Sequence, residues 1–298
     1  FFSNEKGFYF FDKQKNKAHF LSEEYPDLVF SHKIYKDRQD KIWVSTQFGI
    51  YLIQLKSSHF SKIYTAGEGE LNPVRGLVLD DFNSLWVIKE NVANLTKLQL
   101  SANKKRSLSI ETANNPEVGE RFFLKRIFYS LGKDSKGYII LCSSRKHFTQ
   151  VNPINFEGAL TYINYDTDLG GLIWSIHEDN EKKIWMGSDK GYFGYFEKGE
   201  NRFVPVLHLE DTPFHTYQFI EEGSKIWVVT ELGLFLFDKN SNQITERYWS
   251  EGTDRFHLPF DKLYHAYSEE NGSFWLGTSG DGLIHFDTNT GDYEQFTQ

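Results

Sequence analysis

The sequence has little of three things that would place it in particular protein classes. Of its 298 residues only Cys142 is a cysteine, so no disulfide can form within the chain. No apolar run approaches the roughly 18 residues that a membrane helix needs. Basic residues are scattered and the formal net charge is −8, so a phosphate-binding surface is not expected. We therefore expect no nucleic-acid partner and no membrane contact by this segment.

Contiguous catalytic and metal-binding motifs are also missing from the sequence. It contains no Gly-x-Ser-x-Gly, no His-Glu-x-x-His, no phosphate loop and no pair of cysteines. The sequence therefore predicts no catalytic residue, no metal site and no cofactor. It also predicts that this chain is not itself an enzyme.

What the sequence has in excess is aromatic residues, which make up 17% of the chain and favour strands. One short tryptophan-centred segment recurs, as in "KIWVST" and "SFWLGT". Ile140 holds the same place in a weaker copy, and Phe1 holds it in a copy placed by Gly7. Successive copies are 42, 43, 54, 45, 42 and 48 residues apart. Their centres are Phe1, Trp43, Trp86, Ile140, Trp185, Trp227 and Trp275.

Each copy after the first has an acid six residues before its centre, and several have a glycine about six residues after it. The acids are Asp37, Asp80, Asp134, Asp179, Glu221 and Glu269, and the glycines are Gly49, Gly191, Gly233 and Gly282. A short polar side chain stabilises a tight hairpin, and glycine allows the next turn a positive φ. The acids lie in six hairpins, so they are not expected to converge on one ion. The tryptophans are interpreted as packing residues, worth roughly 3–5 kcal/mol each when buried.

Alternating apolar residues around each centre predict four short strands per copy, as residues 214–249 illustrate. Four strands per repeat is the unit of a propeller blade. We therefore predict an all-β fold, a seven-bladed β-propeller of four-stranded antiparallel blades, as a single domain over residues 1–298. Its first blade is incomplete in this chain. The missing strand precedes residue 1 or follows residue 298, or that blade has three strands. Residues 109–123 are expected to form an exposed, mobile loop.

The repeated pattern resembles the two-component regulator propeller repeat. Residues 268–296, "SEENGSFWLGTSGDGLIHFDTNTGDYEQF", match it almost throughout, whereas the copies at Trp86 and Ile140 depart from it. The resemblance implies the periplasmic sensor region of a hybrid two-component system histidine kinase, an ectodomain of an inner-membrane protein. It implies an oligosaccharide ligand, a further propeller or β-domain in the same polypeptide, and a homodimer. The alternatives are a propeller-scaffold enzyme acting on polysaccharide, by lysis or hydrolysis, and a propeller that docks proteins.

A ligand is expected on loops that lead from the fourth strand of one blade to the first strand of the next. Sugars stack on aromatic faces and bond to planar polar groups. The candidate ligand-binding residues are Trp249, Arg255, His257, Trp174, Tyr165, Asp168, Arg75, Arg121 and His215. Trp249 and Trp174 are the two tryptophans outside the repeat position, and packing between blades is the alternative explanation for both. Three histidines expected on or near first strands, His32, His177 and His265, are interpreted as isolated rather than as a metal cluster.

Overall fold

The computed structural model describes residues 1–4, 7–12, 16–23, 25–28, 31–37, 41–53, 60–65, 74–89, 95–99, 110–112, 127–144, 147–156, 158–163, 171–209, 211–269 and 271–297. The chain divides into two compact units, Phe1 with Gly7–Tyr162 and Phe2–Lys6 with Ile163–Gln298. Strands dominate both units. Helical structure in these ranges consists of two 3-10 turns, Pro26–Leu28 and Asp254–Phe256. None of the described helical segments is long and apolar enough to cross a membrane.

The first unit contains three four-stranded antiparallel sheets, in each of which neighbours in sequence are neighbours in space. They are β4 (Ser31–Lys36), β5 (Ile42–Thr46), β6 (Gly49–Ile53) and β7 (Phe60–Thr65); β8 (Val74–Leu79), β9 (Ser84–Lys89), β10 (Leu95–Gln99) and β11 (Ile110–Thr112); β12 (Ser130–Lys133), β13 (Ile139–Ser144), β14 (His147–Val151) and β15 (Gly158–Tyr162). β2 (Gly7–Asp12) and β3 (Lys17–Phe20) form a further antiparallel pair.

The second unit contains three more sheets of the same kind, together with β1 (Phe2–Asn4). They are β16 (Ile173–Glu178), β17 (Ile184–Ser188), β18 (Tyr192–Glu197) and β19 (Arg202–His208); β20 (Thr216–Glu222), β21 (Lys225–Thr230), β22 (Gly233–Asp238) and β23 (Gln243–Tyr248); β24 (Leu263–Ser268), β25 (Ser273–Thr278), β26 (Leu283–Asp287) and β27 (Tyr293–Phe296). The predicted four-stranded repeat is therefore confirmed. In each sheet, the first and third strands begin at the end where the second and fourth strands finish, and this end of the sheet is called the entry edge.

The acid before each repeat tryptophan holds both the hairpin and the indole. Asp80 accepts the backbone N–H groups of Phe82 and Ser84 with Oδ1, at 2.9 and 2.8 Å. Its Oδ2 accepts the indole N–H of Trp86 at 2.8 Å. The same indole bond joins Trp43 to Asp37, Trp185 to Asp179 and Trp275 to Glu269. The spacing of six residues between the acid and the tryptophan thus reflects a hydrogen bond between their side chains as well as the tight turn.

One predicted acid is wrong by a residue. Glu221, the acid six residues before Trp227, is predicted to lie in a hairpin turn, but it lies in β20, and Trp227 donates its indole N–H to Glu222, at 3.0 Å. The reason is the hairpin between β20 and β21, in which Glu222 pairs directly with Lys225 across a two-residue turn. Glu221 instead accepts a bond from Lys239, at 2.7 Å.

Burial separates the repeat tryptophans into two groups. Trp86 and Trp185 are fully buried and Trp43 and Trp227 nearly so, which agrees with packing between sheets. Trp185, for example, lies 5.0 Å from the ring of Phe237 in the neighbouring sheet. Trp275 is only half-buried and stacks on His285 within its own sheet, with the ring centroids 4.3 Å apart.

The glycine after the second strand is required at the entry edge. Gly233 has a φ of +99°, and a Cβ there would lie 2.0 Å from the carbonyl oxygen of Tyr248 at the end of β23. Any larger residue would push the fourth strand away from the third. The positive φ predicted for this position is confirmed.

The expected loop at residues 109–123 begins differently. Ile110–Thr112 form β11, the fourth strand of its sheet, paired with β10. The prediction of a loop is therefore wrong for these three residues, because a short polar stretch can still complete a sheet edge through its backbone. The remainder of the predicted loop lies outside the described residues.

Candidate functional site

A bulge recurs at one place in the first strands. Where the first strand pairs with the second, the register skips one residue near the entry edge in five of the described sheets. Such a bulge turns a side chain away from the regular alternation, and bulges are frequent beside active sites. The skipped residues are all aromatic or basic. They are His32, Arg75, Trp174, Tyr217 and Tyr264.

These bulge residues obey a fixed spacing. Each lies five residues before the acid that holds the indole, for example Tyr217 before Glu222 and Trp174 before Asp179. In the copy with Ile140, the same count leads to Tyr129. Its ring lies 5.8 Å from the guanidinium carbon of Arg75 in the first unit. The repeat therefore places a large aromatic or basic residue at this position in six copies.

In the second unit, the bulge residues and His215 form a continuous row of rings. The ring centroid of Trp174 is 4.9 Å from that of His215, edge to face. His215 stacks on Tyr217 at 5.6 Å, with the planes 13° apart. Tyr217 meets Tyr264 at 4.9 Å. These four side chains, called the aromatic row, come from or just before the first strands of three neighbouring sheets and are all half-buried.

A carboxylate underlies the centre of the aromatic row. Glu231, just after β21, accepts the backbone N–H of His215 at 2.9 Å and lies 2.8 Å from its Nδ1. It also accepts the hydroxyl of Tyr217 at 3.3 Å. Burial alone would raise the pKa of Glu231, but the bonds from His215 and Tyr217 outweigh burial and hold that pKa below its ordinary value. Burial, with Glu231 beside it, raises the pKa of Tyr217, which therefore stays protonated.

The far end of the row carries a hydroxyl pair. Ser279, in the loop after β25, donates to the hydroxyl oxygen of Tyr264 at 3.0 Å. The backbone N–H of Ser279 is fixed by the carbonyl of Lys262 at 2.9 Å. Hydroxyls that are positioned in this way can bond to a polar ligand lying along the rings.

A second group lies on the loop from β23 to β24, at the entry edge of the same unit. The guanidinium carbon of Arg247 lies over the ring of Phe235, at 5.1 Å, and over the ring of Trp249, at 4.8 Å, and the guanidinium donates to the carbonyl of Leu232. Arg247 thus covers Trp249. The packing explanation of Trp249 is supported by this contact, and ligand binding by this residue stays a prediction.

Arg255 is engaged within the protein. Its guanidinium donates to both carboxylate oxygens of Glu246, at 3.2 and 2.9 Å, to the hydroxyl of Tyr248 and to the carbonyl of Thr288, both at 2.9 Å. It therefore ties the loop to two sheets. His257 lies in the same loop, with Nδ1 3.0 Å from the carbonyl oxygen of Ser250.

The predicted site residues are thus only partly brought together. Trp174 and His215 meet in the aromatic row, while Trp249, Arg255 and His257 share one loop. Arg75 belongs to the first unit. Tyr165, Asp168 and Arg121 lie outside the described residues. The sequence reasoning missed Tyr217, Tyr264, Glu231 and Ser279. The spacing of five before the acid is the signal that would have found the two tyrosines.

Within the part of the chain that the structure describes, no group of three or more His, Cys, Asp or Glu side chains could hold a metal ion. His177, one of the three histidines expected near first strands, lies 3.9 Å from Glu221. Burial lowers the pKa of His177, and the acidic residues near it offset only part of that decrease.

Comparisons with known proteins bear on the fold. No protein-family profile and no curated protein matches the sequence. Among solved structures, the extracellular domain of BT4673 from B. thetaiotaomicron, assigned to the one component systems, is similar with a TM-score of 0.62 and 13% identity over 91% of this chain. The chain spans 41% of that domain.

Two enzymes are similar in structure to this chain to about the same degree as the BT4673 domain. The virginiamycin B lyase of Staphylococcus aureus has a TM-score of 0.66 and 11% identity, covering 90% of this chain and 84% of the lyase. The dihydro-heme d1 dehydrogenase NirN has a TM-score of 0.59 and 11% identity, covering 98% of this chain and 62% of NirN. These likenesses support an all-β, propeller-like architecture.

The prediction that the chain is not an enzyme is therefore wrong, because the sequence does not exclude an enzymatic activity. It rested on missing contiguous motifs, yet a lyase and a dehydrogenase share this fold over most of the chain. A propeller can assemble reactive groups from separate loops, so a missing motif excludes no activity. The aromatic row shows such an assembly, since a carboxylate on one loop holds the imidazole of another. What the chain shares with solved structures is an all-β, propeller-like fold, found in a bacterial extracellular domain and in enzymes alike.

Proposed function

We propose that the chain is the ligand-sensing propeller of a hybrid two-component system and that it binds a carbohydrate on the aromatic row. The observation that carries the proposal is the row itself, four rings spread over three neighbouring sheets with a carboxylate and a serine hydroxyl beside them. Sugar rings present apolar faces that stack on aromatic planes, and hydroxyls that bond at their rims. Consecutive ring centroids lie 4.9, 5.6 and 4.9 Å apart, so the row is long enough to contact several sugars of one chain.

The seven repeat copies belong, in this proposal, to one seven-bladed propeller. The regular spacing of the centres and the recurring acid–indole bond support it, because each copy supplies the same sheet with the same lock. A crystal structure in which the seven centres lie at equivalent places about one axis would agree with the proposal. A ring with another number of blades would overturn it.

The signal is proposed to pass to a kinase beyond this chain, with the propeller in the periplasm as the ectodomain of an inner-membrane protein. The sequence resemblance to the regulator propeller repeat supports this, as does the likeness to the extracellular domain of BT4673. A further propeller or β-domain and a second copy of the chain are the partners that this arrangement calls for. In cells, Trp174→Ala in the full-length protein should abolish the transcriptional response to the inducing glycan while protein levels stay unchanged.

Direct binding is the test of the site. Calorimetric titrations should use neutral tetrasaccharides of glucose, xylose, arabinose and galactose, and tetrasaccharides of uronic acids. We expect at least one to bind, and we expect Trp174→Ala and Tyr264→Ala to weaken it roughly tenfold, about 1.4 kcal/mol for one stacking contact. Tyr267→Ala is the matched control, because Tyr267 lies on the same strand as Tyr264 and is 61% exposed outside the row.

Three outcomes of this titration count against the proposal. No binding by the whole panel would refute the carbohydrate ligand. Unchanged binding by both row variants, with melting temperatures like that of the parent protein, would refute the site. Release of new reducing ends or unsaturated sugars during the titration would replace the sensor with an enzyme at the same place.

A further inference from the structure

His215 differs from the other members of the aromatic row because its ring carries two nitrogens, and in the neutral ring one donates a hydrogen bond while the other accepts one. Its Nδ1 lies 2.8 Å from Glu231 Oε2, the same oxygen that its own backbone N–H contacts at 2.9 Å. An ionised carboxylate only accepts hydrogen bonds. When the ring is neutral, this contact requires the hydrogen on Nδ1, and Nε2 is left as an acceptor.

The environment of His215 keeps this arrangement in place. Tyr217 stacks on the ring and donates its hydroxyl to the other oxygen of Glu231, so the carboxylate is held from two sides. The ring of Trp174 lies 4.9 Å from that of His215, with the planes 66° apart, and brings no charge. The side chain of His215 is 31% exposed, and among the described residues none is found to bond to Nε2. The acceptor therefore remains available to a molecule from outside.

We propose that His215 is a specificity-determining residue of the aromatic row, presenting Nε2 as an acceptor to a hydroxyl hydrogen of the ligand, while Glu231 positions it. This inference rests on the proposed function and deepens it, since it states which chemical group the ligand must bring. A saccharide supplies such a hydroxyl at nearly every carbon. A ligand that carries only acceptor atoms at this place, such as an O-methylated sugar, would leave Nε2 without a partner and bind more weakly.

The hydrogen placement can be measured without any ligand. A long-range ¹H–¹⁵N correlation spectrum of protein labelled at histidine distinguishes the two neutral tautomers, and His215→Gln identifies the signal. At pH 7.5 we expect a protonated Nδ1 and an unprotonated Nε2. Glu231→Gln should shift the ring toward a mixture of tautomers. A predominant Nε2–H tautomer in the parent protein would overturn the proposal.

Two matched variants test the role in binding, with the tightest-binding tetrasaccharide of the panel as probe. Asparagine at 215 can still donate to Glu231 but has no atom at the Nε2 position, whereas glutamine reaches that position with its amide oxygen. We expect His215→Asn to weaken binding at least tenfold and His215→Gln to stay within about threefold of the parent. Equal affinity of both variants and the parent would overturn the proposal. If no tetrasaccharide binds, the proposed function fails, and the tautomer measurement still decides whether His215 presents an acceptor.

Discussion

The double role of the acid before each tryptophan can be tested at Asp80. Asparagine at this position keeps an oxygen for the backbone N–H groups of Phe82 and Ser84. Its amide nitrogen then faces the indole N–H of Trp86, so that two donors meet where a donor met a carboxylate. Trp86 is fully buried and Asp80 is 4% exposed, so water cannot replace the lost acceptor.

The expected cost of Asp80→Asn follows from that geometry. A hydrogen bond to a charged group contributes about 1.5–3 kcal/mol, and an unsatisfied buried donor adds to the loss. We therefore expect a decrease of about 2–3 kcal/mol in the free energy of unfolding. For a chain of 298 residues that corresponds to a fall of roughly 3–5 °C in the melting temperature.

The neighbouring residue provides the control. Asp81 is half-exposed, and its carboxylate pairs with Lys133 at the surface, at 2.8 Å. Exposed pairs of this kind contribute about 0–1 kcal/mol, so Asp81→Asn should move the melting temperature by 2 °C or less. Calorimetry and urea unfolding followed by tryptophan fluorescence measure both variants. Equal losses for Asp80→Asn and Asp81→Asn would refute the idea that the acid–indole bond stabilises the sheet.

Three further predictions concern burial, backbone conformation and charge. Trp86→Ala should cost about 3–5 kcal/mol in urea unfolding and Trp275→Ala clearly less, because Trp275 is half-buried; equal costs would contradict this. Gly233→Ala should lower the melting temperature sharply, since a Cβ there would lie 2.0 Å from the carbonyl oxygen of Tyr248, while Gly199→Ala, with open space around it, should leave the temperature unchanged. Burial alone would raise the pKa of Glu246, but the hydrogen bonds from Arg255 and Tyr248 outweigh burial and hold that pKa below its ordinary value of 4.5. The stabilising effect of the ionised Glu246 is therefore present above about pH 4.5 and is lost as the pH falls through the lowered pKa. Arg255→Gln should therefore flatten the decline of stability in acid, and an unchanged pH profile would argue against this ion pair.

Much of the sheet architecture was predictable because its causes are local. Tight turns, alternating apolar residues and a glycine at a positive φ act over a few residues, so a repeat of about 45 residues reveals the four strands. The acid at Glu221 was misplaced because one hairpin is a residue shorter, and spacing alone cannot show which carboxylate reaches an indole. The strand Ile110–Thr112 was missed because its pairing with β10 depends on the backbone rather than on an apolar pattern.

The site was less predictable because it depends on departures from regular pairing. Strict alternation assigns Tyr217 and Tyr264 to ordinary strand positions, whereas the bulge brings them into the row. Glu231 is a carboxylate in a short turn and gains its role only when that turn meets His215. Trp174 was recognisable as a tryptophan outside the repeat position, but its neighbour His215 belongs to the next repeat, and spacing alone does not show that the two rings meet.

A crystal structure of the protein with its tightest-binding tetrasaccharide tests the central claim most directly. The account predicts sugar rings in van der Waals contact with the planes of Trp174 or Tyr264, and a sugar hydroxyl about 2.8 Å from Nε2 of His215. Sugar bound at the opposite edge of the sheets, or at the entry edge without contact to the aromatic row, would contradict it.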